Sequence, residues 1–135
     1  MKKIILCLVM VVMMLGCVGC GSKTDNDDYS GTWVRETWTN EKTGAVIDIT
    51  LYLYEDNTYK KEVNNSVEGY KEYQGAWEVS NNEIILTPSK LNAGEDVNFG
   101  EDGRLKEGIT NLTNTLKIVD NTTLSSGATT YNKQH

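Results

Sequence analysis

Apolar residues alternate with polar ones along Ile47, Ile49, Leu51 and Leu53, with Asp48, Thr50 and Tyr52 between them. A period of two marks a strand with one buried face. Glu55-Asp56-Asn57 breaks the run and Thr58 to Val63 resumes extended character, which predicts a hairpin. Tyr70 to Val79 and Glu83 to Thr87 form a second predicted pair across Ser80-Asn81-Asn82. Thr115 to Val119 and Thr123 to Tyr131 form a third region, turning at Asp120-Asn121. Leu91 to Ile109 is rich in glycine and acid and reads as a long loop with one short hairpin. No stretch from Tyr29 onward carries a helical stripe of useful length. Short strands with regular turn signals predict an all-β fold, a small antiparallel barrel of about seven to eight strands.

The chain before Tyr29 follows another pattern. Met1-Lys2-Lys3 precedes an apolar run from Ile4 to Leu15, and small residues follow, the order of a secretory signal. Even stretched to Val18, the run is shorter than the roughly 20 residues that a helix needs to cross a bilayer. Gly21 to Asp28 is polar and aperiodic, as a flexible tether should be. Asp25, Asp27 and Asp28 do not complete a calcium-loop pattern, so they read as a solvated spacer. The expected organisation is a signal peptide at 1–19, a polar tether at 20–28 and a barrel domain at 29–135.

The three cysteines all precede the predicted strands. Cys7 lies inside the apolar run, where a thiol behaves as a small hydrophobe. Cys17-Val18-Gly19-Cys20 matches C-x-x-C, but that motif implies redox chemistry only beside a βαβ pattern. Val18-Gly19-Cys20-Gly21-Ser22 resembles the lipobox of bacterial lipoproteins. The resemblance implies diacylglycerol attachment at Cys20, cleavage just before it, and a lipid-anchored protein on the extracytoplasmic side of the cell membrane. Met14-Leu15-Gly16-Cys17 offers an overlapping second lipobox, and Cys20 is preferred because Gly-Ser-Lys and the tether follow it. On this reading no cysteine is left for a disulfide in the folded domain.

The formal net charge is −6, and losing Lys2 and Lys3 with the signal takes it to −8. An acidic domain does not seek nucleic acid or anionic lipid by charge. Membrane attachment then rests on the acyl chains, each buried methylene contributing about 0.8 kcal/mol.

Candidate chemistry is sparse. The one histidine, His135, is the last residue, so neither a Ser-His-Asp nor a Cys-His arrangement is anchored in the domain. Zinc needs three or four nitrogen or sulfur ligands, which the domain does not supply. The neighbouring carboxylates Glu55-Asp56, Glu95-Asp96 and Glu101-Asp102 would point to opposite sides of a strand and read as turn and solubility residues. The expectation is a protein with no enzymatic activity, no cofactor and no metal.

An internal echo adds to the fold reading. Tyr29 to Trp33 is YSGTW and Tyr73 to Trp77 is YQGAW, which share Tyr-x-Gly-x-Trp. The glycine permits close backbone approach, and the tryptophan two places on faces the same side, so each pair reads as plugging one core. Trp38 falls in the opposite strand phase from Trp33. The order Gly31-Thr32-Trp33, an apolar strand ending in Glu-Asp-Asn-Thr-Tyr, Gly75-Ala76-Trp77 and Ile84-Ile85-Leu86 resembles bacterial lipocalin-like lipoprotein domains. The resemblance spans nearly all of Tyr29 to Lys133 and implies a barrel in which Lys133 stacks on Trp33.

Two functional readings of different class remain. In one, the barrel binds a small apolar or amphipathic molecule, with Trp33, Ile49, Leu51 and Trp77 as candidate lining residues. In the other, those side chains fill the barrel and its outer surface engages a protein of the cell envelope. A monomer is expected in either case.

Overall fold

The computed structural model describes residues 28–92 and 96–135. The signal-peptide reading, Cys17, the lipid-attachment residue Cys20 and all of the tether but Asp28 lie outside them.

Among the described residues there are nine strands: β1 (Gly31–Arg35), β2 (Trp38–Thr39), β3 (Val46–Leu53), β4 (Thr58–Asn65), β5 (Gly69–Ser80), β6 (Glu83–Asn92), β7 (Asn114–Asp120), β8 (Thr123–Ser126) and β9 (Thr129–Lys133). Every pairing is antiparallel. β1 pairs with both β9 and β3, so eight strands close on themselves and β2 runs on beside β3. Closure removes the free edges that an open sheet would present. This is the all-β antiparallel barrel that the alternation predicts, with one extra strand.

The turns follow their residues. Asn81 and Asn82 link β5 to β6 with φ of 50° and 62°, the left-handed pair that a two-residue hairpin requires. Asn57 takes φ of 65° after β3, and Asp56 accepts hydrogen bonds from the Thr58 amide at 3.0 Å and its hydroxyl at 2.6 Å. Asp120 serves Thr122 in the same way after β7. The stretch from Thr123 to Tyr131 is two strands, β8 and β9, because Gly127 turns the chain with φ of 61°. Within Leu91 to Ile109 the hairpin expectation holds. Phe99 bridges Leu105, and Arg104 bridges Lys90 on β6.

Cross-strand partners share a sheet face, and the register therefore defines the barrel interior. Trp33 and Leu51 are partners, as are Leu53 and Tyr59, Trp77 and Leu86, Ile84 and Leu116, Ile118 and Leu124, and Leu124 and Tyr131. All of these are buried in one cluster with Ile49. Both tryptophans of the echo donate their indole N–H to a backbone carbonyl at 2.9 Å, Trp33 to Tyr29 and Trp77 to Tyr54. Gly75 faces Tyr59 at a register shift, and a Cβ there would run into the Thr87 carbonyl.

Trp38 departs from the expected phase. Val34 pairs with Thr50 and Trp38 with Ile47, four steps along the first strand pair against three along β3. The one extra residue falls in the break at Glu36-Thr37 between β1 and β2, and it returns Trp38 to the face of Trp33 and Ile47. Its ring stays 43% exposed at the end of the barrel.

Candidate functional site: a cation-lined barrel interior

The inward positions continue beyond the apolar cluster. On β4, Tyr59, Lys61 and Val63 pair with Leu53, Leu51 and Ile49. On β5, Tyr73 and Lys71 pair with Lys61 and Val63. On β1 and β9, Arg35 pairs with Tyr131 and Trp33 with Lys133. The inward charged positions on the strands are thus Arg35, Lys61, Lys71 and Lys133, all basic in a chain of net charge −6. The strand carboxylates Asp48, Glu62, Glu72, Glu78, Glu83 and Asp120 occupy the alternate, outward phase.

Each cation meets a different environment. Lys61 Nζ lies 5.1 Å from the centroid of the Tyr73 ring. Burial pulls the pKa of its ammonium below the usual lysine range, and the positive charge of Arg35 adds to the effect. Arg35 places one terminal nitrogen 3.4 Å from the Ile47 carbonyl, a weak bond, while its Nε is buried with no hydrogen-bond partner. Burial also raises the Tyr59, Tyr73 and Tyr131 hydroxyls above their usual range, with Arg35 partly offsetting it at Tyr131. At the mouth, the Tyr73 hydroxyl donates to Asp96 at 3.3 Å, and its ring meets Phe99 edge-on at 6.0 Å. The ion pair among the described residues, Lys60 with Glu62 at 3.0 Å, lies on the outer face.

Trp33, Ile49, Leu51 and Trp77, the candidate lining residues, come together in the buried cluster. Two surface recesses lie elsewhere. One, of about 1090 Å³, is lined by Leu91, Asp96, Phe99 and Lys106 among others. The other, of about 390 Å³, lies over Gly75 between Tyr54, Tyr59 and Ser89. Asp56 and Asp102 act in turns, Asp102 accepting from the Arg104 amide at 3.1 Å. Among the described residues no group of three or more His, Cys, Asp or Glu could hold a metal. No helix among them is long and apolar enough to cross a membrane.

The inward cations were not singled out from the sequence. The signal was present: phase carried forward from Tyr59 puts Lys61 inside and Lys60 outside, and phase from Trp33 puts Arg35 inside. Comparison with protein-family models and with curated proteins finds no match.

Proposed function

We propose that this protein is a non-catalytic lipoprotein, anchored on the extracytoplasmic side of the cell membrane through Cys20, whose barrel binds a small amphipathic molecule. The observation that carries this reading is the meeting of two linings in one barrel. A buried apolar cluster around Trp33 and Leu51 adjoins the inward cations Arg35, Lys61 and Lys71. An amphipathic ligand needs an apolar wall for its body and a few placed polar groups for its head. Native mass spectrometry of the domain purified from a cell extract tests it. A co-purified small amphiphile is expected, and a bare polypeptide mass at every preparation would end the reading.

A second reading has its own observation. Tyr52 and Tyr54 stack on the outer side of β3 with ring centroids 6.5 Å apart, and Lys60 lies 4.3 Å from the Tyr52 centroid. With the interior filled by the core cluster, this face would engage an envelope protein. Tyr54→Ser would then weaken partner capture and leave amphiphile binding untouched.

A further inference from the structure

The four inward cations are not equivalent. Lys133 is satisfied, because its ammonium lies over Trp33 and donates to the Asp28 carbonyl at 2.8 Å. Arg35 and Lys61 are not. The Nε of Arg35 is buried without a hydrogen-bond partner, and the bond from its terminal nitrogen to the Ile47 carbonyl is long, at 3.4 Å. Among the described residues Lys61 meets the face of Tyr73, and Arg35 acts on it as a like charge. No strand carboxylate faces either of them. Asp96 at the mouth is engaged by the Tyr73 hydroxyl and lies within ion-pair distance of neither cation.

Both residues are half-buried, and drawing a cation even partly out of water without a counter-ion is unfavourable, the more so with a like charge acting on it. Such an arrangement persists when an anion completes it. We propose that Arg35 and Lys61 form an anion clamp inside the barrel that holds the carboxylate head group of a single-chain amphiphile. The clamp rests on the amphiphile-binding reading above. Guanidinium offers a planar fork that matches a carboxylate, and Lys61 supplies a point charge from β4, on the other side of β3 from Arg35. Lys71, paired with Val63 nearer the mouth, adds positive potential along the way in. The apolar walls from Ile49 and Val63 leave the chain of the amphiphile in contact with the core.

The strands and the buried cluster lie between Gly31 and Lys133, so a chain starting at Gly21 keeps the whole described barrel. Titration calorimetry of that chain with dodecanoate and with its neutral counterpart dodecanol reads out the clamp. Dodecanoate should bind at least about tenfold more tightly than dodecanol, as a charge-assisted pair requires. Arg35→Met and Lys61→Met should each lower dodecanoate affinity about tenfold or more while leaving dodecanol affinity unchanged, and Lys61→Arg should restore most of it. Thermal melts of each variant verify that it folds. Equal binding of the two probes, or dodecanoate affinity unaltered in both Met variants, overturns the clamp while the amphiphile reading stands. Binding of neither probe overturns both.

Discussion

Lys133 on β9 lies over the indole of Trp33 on β1, with Nζ 5.6 Å from the ring centroid. The two residues are register partners across the strand pair that closes the barrel. The same ammonium donates to the Asp28 carbonyl, so the last strand also ties down the chain just before the first. Gly31 makes room for this. Its φ is 134°, and a Cβ there would come within 3.0 Å of Lys133 Cε. This is the stacking that the lipocalin-like resemblance implies for Lys133.

Replacing Lys133 with Met should therefore lower stability by about 1 kcal/mol, the scale of a cation over an indole plus one exposed hydrogen bond. Gly31→Ala should cost at least about as much, because it adds backbone strain to the displaced lysine stem. Urea denaturation followed by tryptophan fluorescence measures both. An unchanged midpoint in Lys133→Met would show that the contact holds nothing in place.

Trp33 and Trp77 are 0% and 2% exposed, and each satisfies its indole N–H within the barrel. Truncating either to Ala should cost about 3–5 kcal/mol. Trp38 shares their face but ends outside the packed cluster, so Trp38→Ala should cost well under half as much. Parallel urea curves for the three variants give the order. A Trp38 effect as large as that at Trp33 would mean that the open end of the barrel is packed more tightly than its exposure implies.

How much of this could be read in the chain depends on where phase is unbroken. From Ile47 to Leu53 nothing interrupts the period of two, and the inward residues are the alternating apolar ones. The two-asparagine turn at Asn81-Asn82 was also legible, because few residues tolerate two left-handed positions in succession. Trp38 was not, since the break at Glu36-Thr37 has no fixed residue signature and one inserted position flips everything after it. Gly127 divides a run of small polar residues whose composition suits a strand or a turn equally. Lys61 escaped for a different reason. It sits in the polar run Tyr59-Lys60-Lys61-Glu62, where no apolar alternation marks which lysine turns inward. Apolar pattern finds the core but is silent on a charged wall.

The β5–β6 turn gives a backbone prediction. Asn82 has φ of 62°, its carbonyl accepts from the Ile118 amide at 3.0 Å, and its side chain donates to the Ile118 carbonyl at 3.1 Å. A β-branched side chain is strained in the left-handed region by about 1–2 kcal/mol and cannot make the second bond. Asn82→Val should thus destabilise by about 2 kcal/mol or more, whereas Asn81→Gly should be close to neutral. Thermal melts separate the two, and equal losses would place the constraint elsewhere in the hairpin.

Alkaline pH should unfold the domain through its buried tyrosines. Burial raises the folded-state pKa of Tyr59, and less strongly those of Tyr131 and Tyr73, above the unfolded value of 10.0. A group raised in this way contributes stability that is complete below the unfolded pKa. That stability is lost as pH climbs from there through the folded pKa, because only the unfolded chain releases the proton. Urea midpoints should accordingly fall above about pH 10, the ordinary tyrosine range. Tyr59→Phe should flatten the decline. A midpoint in the parent that stays level to the alkaline limit would contradict the burial of these hydroxyls.

Lys61 carries the opposite sign. Burial first, and then the charge of Arg35, lower its folded-state pKa beneath that of an unfolded lysine. The unfolded chain therefore holds the proton more tightly, and the cost of the partly desolvated ammonium is fully present below the folded pKa. It is relieved as pH rises from the folded pKa towards about 10.4, the ordinary lysine value. Lys61→Met keeps the apolar stem and removes the charge, so it should raise the urea midpoint at pH 7 rather than lower it. The gain should shrink as pH approaches the lysine range, where the parent no longer carries the full cost. A residue that merely supported the fold would show the reverse, a loss of stability on truncation at every pH. Measured beside a structurally similar outward change, Lys60→Met, the comparison isolates the interior charge. Lys60 is ion-paired with Glu62 on the outer face, and its removal should move the midpoint by no more than about 1 kcal/mol in the destabilising direction. A lower midpoint for Lys61→Met would mean that a counter-charge already satisfies Lys61 and that the interior is not waiting for an anion.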